Sequence, residues 1–252
     1  MTAPVGDMLL YDGNTAQDLA AQCGVSRVEL LGDTTSTLDV AHVLAAAGAP
    51  SGTVVVAESQ SAGRGRLGRE WVSAPGAGVW CTLIERPADP SALDVLSLRV
   101  GMRVAAALDA LARERVRLKW PNDLMLRAGK LGGILIETRF AGDALTWVAI
   151  GIGVNVRRPD VQGAAGFPDG VSRTDVLIAV VRAARAAAER GGALSDIEAA
   201  QWTNRDVLLH RRIASPARGI VRGIDRSGAL LVHTDHGTEL HRAGTIRLAE
   251  DA

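Results

Sequence analysis

The sequence predicts a globular protein of mixed α/β or α+β class, with a body over residues 1–205 and a small all-β module over 206–252. Three observations carry this. β-branched runs alternate with amphipathic stripes of helical period through most of the chain. After Trp202 the pattern changes to short β runs separated by Asp- and Gly-containing turns. The 252 residues are 47% apolar and 22% charged, which suits one large core, or a medium core and a small one.

The elements follow in order. Residues 15–22 predict a short helix and Arg27–Leu31 a strand. Residues 38–47 predict an amphipathic helix stopped at Gly48, and the β-branched run Thr53–Ala57 a buried strand. A Gly- and Arg-rich loop occupies 59–70. Trp71–Val72 and Val79–Glu85 predict a hairpin around Pro75-Gly76. The clearest helix is 91–114: Ser91 is a candidate N-cap, and Leu93, Leu96, Val100, Val104, Leu108 and Leu111 share one stripe. Arg115–Trp120 predicts a strand that stops at the turn Pro121-Asn122-Asp123. Gly133–Arg139 and Trp147–Asn155 predict two more strands, and 174–190 an Ala-rich helix closed by Gly191-Gly192. The final module has β runs at 217–224, 229–233, 238–242 and 245–248. Trp80, Trp147 and Trp202 are expected in packing, and Arg182, Arg185 and Arg190 on a solvated helix face.

Composition narrows the function. The net charge is zero, without the basic excess of a general nucleic-acid binder. Two cysteines, Cys23 and Cys81, make neither a disulfide framework nor a Cys-based zinc site, and a reducing cytoplasm is expected. The N-terminal segment does not read as a secretory signal, and no uncharged apolar run is long enough to predict a membrane span.

Five short motifs carry chemistry. Gly63-Arg64-Gly65-Arg66-Leu67-Gly68-Arg69 has the G-x-G-x-x-G spacing of a dinucleotide turn, but Pro75, Gly76 and Gly78 forbid the long helix that such a turn opens. Its glycines let backbone approach a ligand and its arginines fix positive charge, which suits a phosphate or carboxylate; a solvated basic turn is the plain alternative. Lys119-Trp120-Pro121-Asn122-Asp123 ends a strand and presents a lysine, an amide and a carboxylate together. Gly129-Lys130-Leu131-Gly132-Gly133 leads a lysine into a sheet, with no Ser or Thr after Lys130 to make a Walker A loop. Ser36-Thr37 opens a helix, as a cap or as a donor pair for a polar ligand. Gly151-Ile152-Gly153-Val154-Asn155 places glycines inside a strand, where another group must come close.

Each motif alone is compatible with an ordinary turn or cap. Their order, from Glu58-Ser59-Gln60-Ser61-Ala62-Gly63-Arg64-Gly65-Arg66 through Lys119–Asp123 and Lys130–Gly133 to Gly151–Asn155, resembles the biotin protein ligase family. The resemblance runs from about Leu30 onward. Trp202–Asp206, Arg222-Gly223-Ile224-Asp225 and Gly228-Ala229-Leu230-Leu231 resemble that family's small SH3-like domain.

The resemblance implies an α+β body, a mixed sheet with helices mainly on one side, plus a C-terminal SH3-like β-barrel. It implies ATP and biotin as substrates, Mg2+ as cofactor, and the biotin carboxyl carrier domain of a carboxylase as partner. Ser36, Thr37 and Gln60 would hydrogen-bond the ureido end of biotin. Gly63, Arg64, Gly65 and Arg66 would belong to the loop closing over the intermediate and, with Lys130 at the reacting carboxylate, would also bind biotin. Gly133 and Gly151 would make room for biotin's rings. Arg64, Arg66, Arg69, Trp71, Asn122, Lys130 and Asn155 would serve ATP, with Trp71 near the adenine. Lys130 and Arg66 would be catalytic, and Asp123 would be a base and a magnesium neighbour. The family commonly has Asn where this chain has Leu38.

Three rival readings are weighed. A DNA-binding repressor is disfavoured, because the roughly 30 residues before the first ligand motif are too few for a helix-turn-helix domain, so no specific DNA binding is expected. A lipoate ligase has related chemistry, but the Gly-Arg-Gly-Arg and Lys-Trp-Pro-Asn-Asp segments favour biotin. A metal site at His233, His236 and His241 falls across a turn where histidines are ordinarily exposed. The chain is expected to be a monomer or homodimer.

Overall fold

The computed structural model describes residues 9–87 and 89–249. The first helix, α1 (Ala16–Cys23), begins where Thr15 and Asp18 form a reciprocal capping box and ends at Gly24, in the left-handed region at φ 68°. Strand β1 (Arg27–Thr34), helix α2 (Thr37–Ala46) and strand β2 (Thr53–Gln60) form a βαβ unit, the source of the sheet's one parallel pairing among the described residues. After β2 come β3 (Gly78–Glu85), α3 (Leu93–Ala112), β4 (Arg117–Lys119), β5 (Asp123–Leu126), β6 (Gly129–Ala141), β7 (Ala144–Asn155), α4 (Arg173–Ala188) and α5 (Asp196–Arg205).

The seven strands β1 to β7 lie in the order β1-β2-β3-β7-β6-β5-β4. Strand β2 shows how period two divides the faces. Val54 and Val56 join the large core with α1, α3 and α4, while Val55 and Ile84 face α2 on the other side. The helices are thus mainly on one side, with α2 alone on the other.

The second sheet is antiparallel, built from β8 (Arg212–Ser215), β9 (Gly219–Ile224), β10 (Leu230–Thr234), β11 (Gly237–His241) and β12 (Arg247–Leu248), in the order β11-β10-β9-β8-β12. It is fastened to the body. Trp202 on α5 is fully buried, the Trp120 indole N–H donates to Gly228 O at 3.0 Å, and Val207 N–H donates to Leu118 O at 2.8 Å.

Several local expectations need correction. Trp71–Val72 is not a strand; only Ser73 bridges, to Gln60. Ser91 does not cap α3, because Asp89 caps a single 3-10 turn at Pro90–Ala92 and accepts from Ser91 N–H. The turn at Pro121-Asn122-Asp123 leads directly into β5, a strand the turn signal concealed. Helix α5 and strand β8 were not anticipated. Arg182 and Arg185 are not merely solvated: they reach across to the carbonyls of Gln22 and Gly24 and hold the end of α1. Of the expected packing tryptophans, Trp80 and Trp202 are buried, whereas Trp147 is half-buried against His42.

Candidate active site

A cavity of about 320 Å³ opens on the seven-stranded sheet. Its floor comes from β3, β6 and β7, one side from the start of α2, and the rim from the segments at 64–72, 119–123, 159–164 and 244–246. Five cations, Arg64, Arg66, Arg69, Lys119 and Lys130, line it against two carboxylates, Glu70 and Asp123. The opposite end is apolar, with Leu38, Cys81, Leu135 and Ile152. An elongated ligand with one greasy end and one anionic end fits such a chamber.

The polar end of α2 is a built network. Ser36 caps the helix by accepting from Leu38 N–H at 3.3 Å. Gln60 Oε1 accepts from the Thr37 backbone N–H at 2.9 Å and from its hydroxyl at 3.2 Å, and Gln60 Nε2 donates to Ser73 Oγ at 2.7 Å. Thr82 Oγ donates to Thr37 Oγ at 2.9 Å. Three side chains that could read a ureido group are therefore held in fixed orientation before any ligand arrives.

The Gly-Arg segment is a small hairpin rather than a slack loop. Gly65 N–H donates to Arg69 O at 2.7 Å, Trp71 N–H donates to Gly63 O at 2.8 Å, and Arg64 bridges to Glu70. Its tip carries Leu67, 74% exposed and left-handed at φ 59°. Gly63 sits behind the hairpin and not on the cavity wall; a Cβ there would strike the Trp71 carbonyl, so the hairpin's closure requires glycine. Arg66 donates to Asn122 Oδ1 at 3.3 Å, and Asn122 Nδ2 donates to Ile134 O at 2.9 Å. Burial pulls the Arg66 guanidinium below its ordinary value; Asp123 opposes this and Arg69 adds to it.

Lys130 and Asp123 face each other across the β5–β6 pair, with Nζ 2.7 Å from Oδ1. Lys130 also lies 5.3 Å above the Trp71 ring. Its backbone is clamped by the 163–165 segment: Lys130 N–H donates to Gly163 O at 2.7 Å, and Ala165 N–H donates to Lys130 O at 2.9 Å. Asn155 is buried and spends its amide on Lys130 O and Ala165 O, so its visible work is to hold that clamp. Trp71 packs on Gly153, where an added Cβ would come within 2.5 Å of the indole nitrogen; that nitrogen is buried without a hydrogen-bond partner among the described residues.

Every expected binding residue except Gly63 therefore lines one cavity: Ser36, Thr37, Gln60, Arg64, Gly65, Arg66, Arg69, Trp71, Asn122, Asp123, Lys130, Gly133, Gly151 and Asn155. Sequence reasoning missed the 159–164 rim and Gly244–Ile246, which carry no local pattern, and it missed the acidic partners of Arg64.

Comparisons with known proteins agree with this geometry. Residues 31–155 match the biotin/lipoate A/B protein ligase family, and residues 212–247 match the biotin protein ligase C terminal domain. The chain is 37% identical over 217 residues to the bifunctional ligase/repressor BirA of Escherichia coli, covering 79% of this chain and 67% of that one. It is 31% identical over 253 residues to the biotin--[acetyl-CoA-carboxylase] ligase of Mycobacterium tuberculosis, covering 91% and 87%. The biotin protein ligase from Aquifex aeolicus, solved in complex with biotin and ATP, shares the fold with a TM-score of 0.73 at 24% identity, over 88% of this chain and 99% of that one. With residues 31–155 and 212–247 matched, and with relatives above 30% identity covered over two thirds or more of their length, the chain belongs to the biotin protein ligase family.

Proposed function

We propose that the chain joins biotin to ATP as biotinyl-5'-AMP and passes the biotinyl group to one lysine of a biotin carboxyl carrier domain. The observation that carries this is the cavity's polarity: a preorganised hydrogen-bonding end at Ser36, Thr37 and Gln60, and a cationic end at Lys130 and Arg66 beside Asp123 and Asn122. The match of residues 212–247 to the biotin protein ligase C terminal domain favours biotin over lipoate.

In the first step a biotin carboxylate oxygen attacks the α-phosphorus of ATP and pyrophosphate leaves. Two anions must meet, so fixed positive charge lowers the barrier. Lys130 would hold the carboxylate against the α-phosphate, and Arg66 and Arg69 would bind the phosphates, with Arg64, expected there too, instead paired to Asp39 and Glu137 at the base of the hairpin. Gly133 and Gly151 would admit biotin's rings to the sheet, Trp71 would meet the adenine, and Asn122 and Asn155 would shape the nucleotide side. Asp123 is a single carboxylate beside Lys130, which fits a magnesium ion carried mainly by the substrate's own phosphates. That ion would neutralise phosphate charge.

The product is a mixed anhydride, which the 63–71 hairpin would shield from water. In the second step the carrier lysine, as a neutral amine, attacks the acyl carbon; AMP leaves and a proton is lost, with Asp123 proposed as its acceptor. We place the enzyme in the cytoplasm as a monomer or homodimer without operator binding, in keeping with its zero net charge.

The test is incubation with biotin, Mg-ATP and a biotinyl domain, followed by intact mass measurement of the carrier. A gain of one biotinyl group that needs ATP and is lost in Lys130→Ala is the expected result. No gain on a competent carrier, with no adenylate formed in its absence, would refute the assignment.

A further inference from the structure

Arg64 reaches out of the cavity wall to a set of side chains that do not line it. Its Nη1 donates to Asp39 Oδ1 at 2.5 Å, and its Nη2 donates to Glu137 Oε1 at 3.2 Å and to Oε2 at 3.4 Å. The hydrogen bond to the Asp39 carboxylate, the stronger of the two acidic influences, raises the Arg64 guanidinium above its ordinary value. Glu137 lies on β6, and its Oε2 accepts from His42 Nε2 at 2.8 Å. His42 lies on α2, one turn beyond Asp39, so both come to the same end of the hairpin.

The direction of these bonds is fixed by chemistry. Trp147 Nε1 can only donate, and it lies 3.0 Å from His42 Nδ1. Nδ1 must therefore be the acceptor, and the ring proton sits on Nε2, aimed at Glu137. Trp147 is itself held: Arg86 lies 5.7 Å over its ring and donates to Thr146 O at 3.0 Å and to Ala45 O at 2.7 Å. The chain Trp147–His42–Glu137–Arg64 thus runs from the rigid sheet to the hairpin, each donor meeting an acceptor.

We infer that Glu137, oriented by His42 and Trp147, is a positioning residue that sets Arg64 and with it the 63–71 hairpin in the ligand-ready conformation. It touches no substrate in the proposed reaction and acts through Arg64. The inference rests on the ligase reading for its kinetic part, but the clamp itself stands on geometry.

The amide of a glutamine would face a donor on one side or the other, since Arg64 and His42 both donate to Glu137 and the Trp147 bond prevents His42 from changing tautomer. Glu137→Gln therefore loosens the clamp while keeping the side chain's size. Two readouts separate positioning from bulk structure. Trypsin nicking of the substrate-free chain after Arg64, Arg66 or Arg69, read by mass, is expected to quicken several-fold. The KM for biotin is expected to rise about three- to ten-fold with kcat within about two-fold, as for loss of a half-exposed charged pair. His42→Phe is expected to act the same way, and His42→Gln, which restores a donor to Glu137, to recover most of it.

Unchanged nicking and unchanged KM in Glu137→Gln would overturn the inference, as would a fall in kcat alone. A lowered melting temperature in both His42 variants, with equal nicking, would mean a structural role only and would also overturn it. Failure of the wild-type chain to label a carrier would refute the ligase reading, yet the nicking contrast would still decide the clamp.

Discussion

Asp206→Asn is expected to stabilise the protein at neutral pH and to remove one component of its pH dependence. Asp206 sits at the end of α5, 1% exposed, where the chain passes from the body to the second sheet. Its Oδ1 accepts from Leu208 N–H at 2.9 Å, while among the described residues Oδ2 has no partner of normal hydrogen-bond geometry. Burial raises its carboxyl from the ordinary 3.8 to about 6; the Leu208 amide, the nearby Trp202 indole, Arg117 and Lys119 pull the other way without winning.

The sign follows from proton binding. Between 3.8 and about 6 the folded chain holds this proton and the unfolded chain has released it. The group's contribution is therefore fully present below the unfolded value and is lost as pH rises through the folded one. A shift of that size corresponds to about 3 kcal/mol once the carboxyl is fully ionised. The variant keeps the acceptor for Leu208 but sets an amide near the Trp202 N–H, so a gain of about 1–2 kcal/mol at pH 7.5 is expected. Urea unfolding of both chains from pH 4 to 8 measures it. Asp109 and Glu198, whose carboxyls are held below their ordinary values, tilt both curves the opposite way, so the difference between chains isolates Asp206. A difference that stays flat across this range, or a variant less stable at pH 7.5 than at pH 4.5 by the wild-type margin, would refute the reasoning.

Three further outcomes are expected. Lys130→Ala should lower the rate of adenylate formation by about 100-fold or more while the variant folds normally, since one preorganised charge at the reacting group is lost; pyrophosphate release checks it. Gly153→Ala should expel Trp71 from its seat, where a Cβ would come within 2.5 Å of the indole, and shift tryptophan emission to the red in the ligand-free chain; an unchanged spectrum counts against that seat. Arg99→Ala should cost about 3–5 kcal/mol in urea unfolding, because the buried guanidinium holds Glu198 at 3.0 Å and the carbonyls of Arg190, Gly192 and Ala193.

What the sequence disclosed, and what it hid, follows from range. The βαβ unit was legible because Val54–Val56 and the apolar positions of α2 have local periods. Helix α5 was not, because it buries only Glu198, Ala199 and Trp202, too few for a stripe. Strand β5 was masked by the turn residues that precede it. At the site, Lys130 and Arg66 lay in Gly-rich segments that match a ligand's needs, whereas Gln60 entered only through the family resemblance. Glu137 lay inside an ordinary strand, 73 positions from the Arg64 it holds, and a contact of that separation leaves no periodic trace. Leu38, where the family commonly has Asn, packs beside Gly151 at the apolar end, within 3.1 Å of where a Cβ would stand. Its departure from the pattern was visible, but the surface it covers was not.

The cavity wall draws on residues from Ser36 to Ile246. Among the described residues, Gly244, Thr245 and Ile246 come after every other part of that wall in chain order. The compartment is therefore walled in part by a segment far from its floor in sequence, so the C-terminal module shapes the space in which the ligand lies as well as packing beside it.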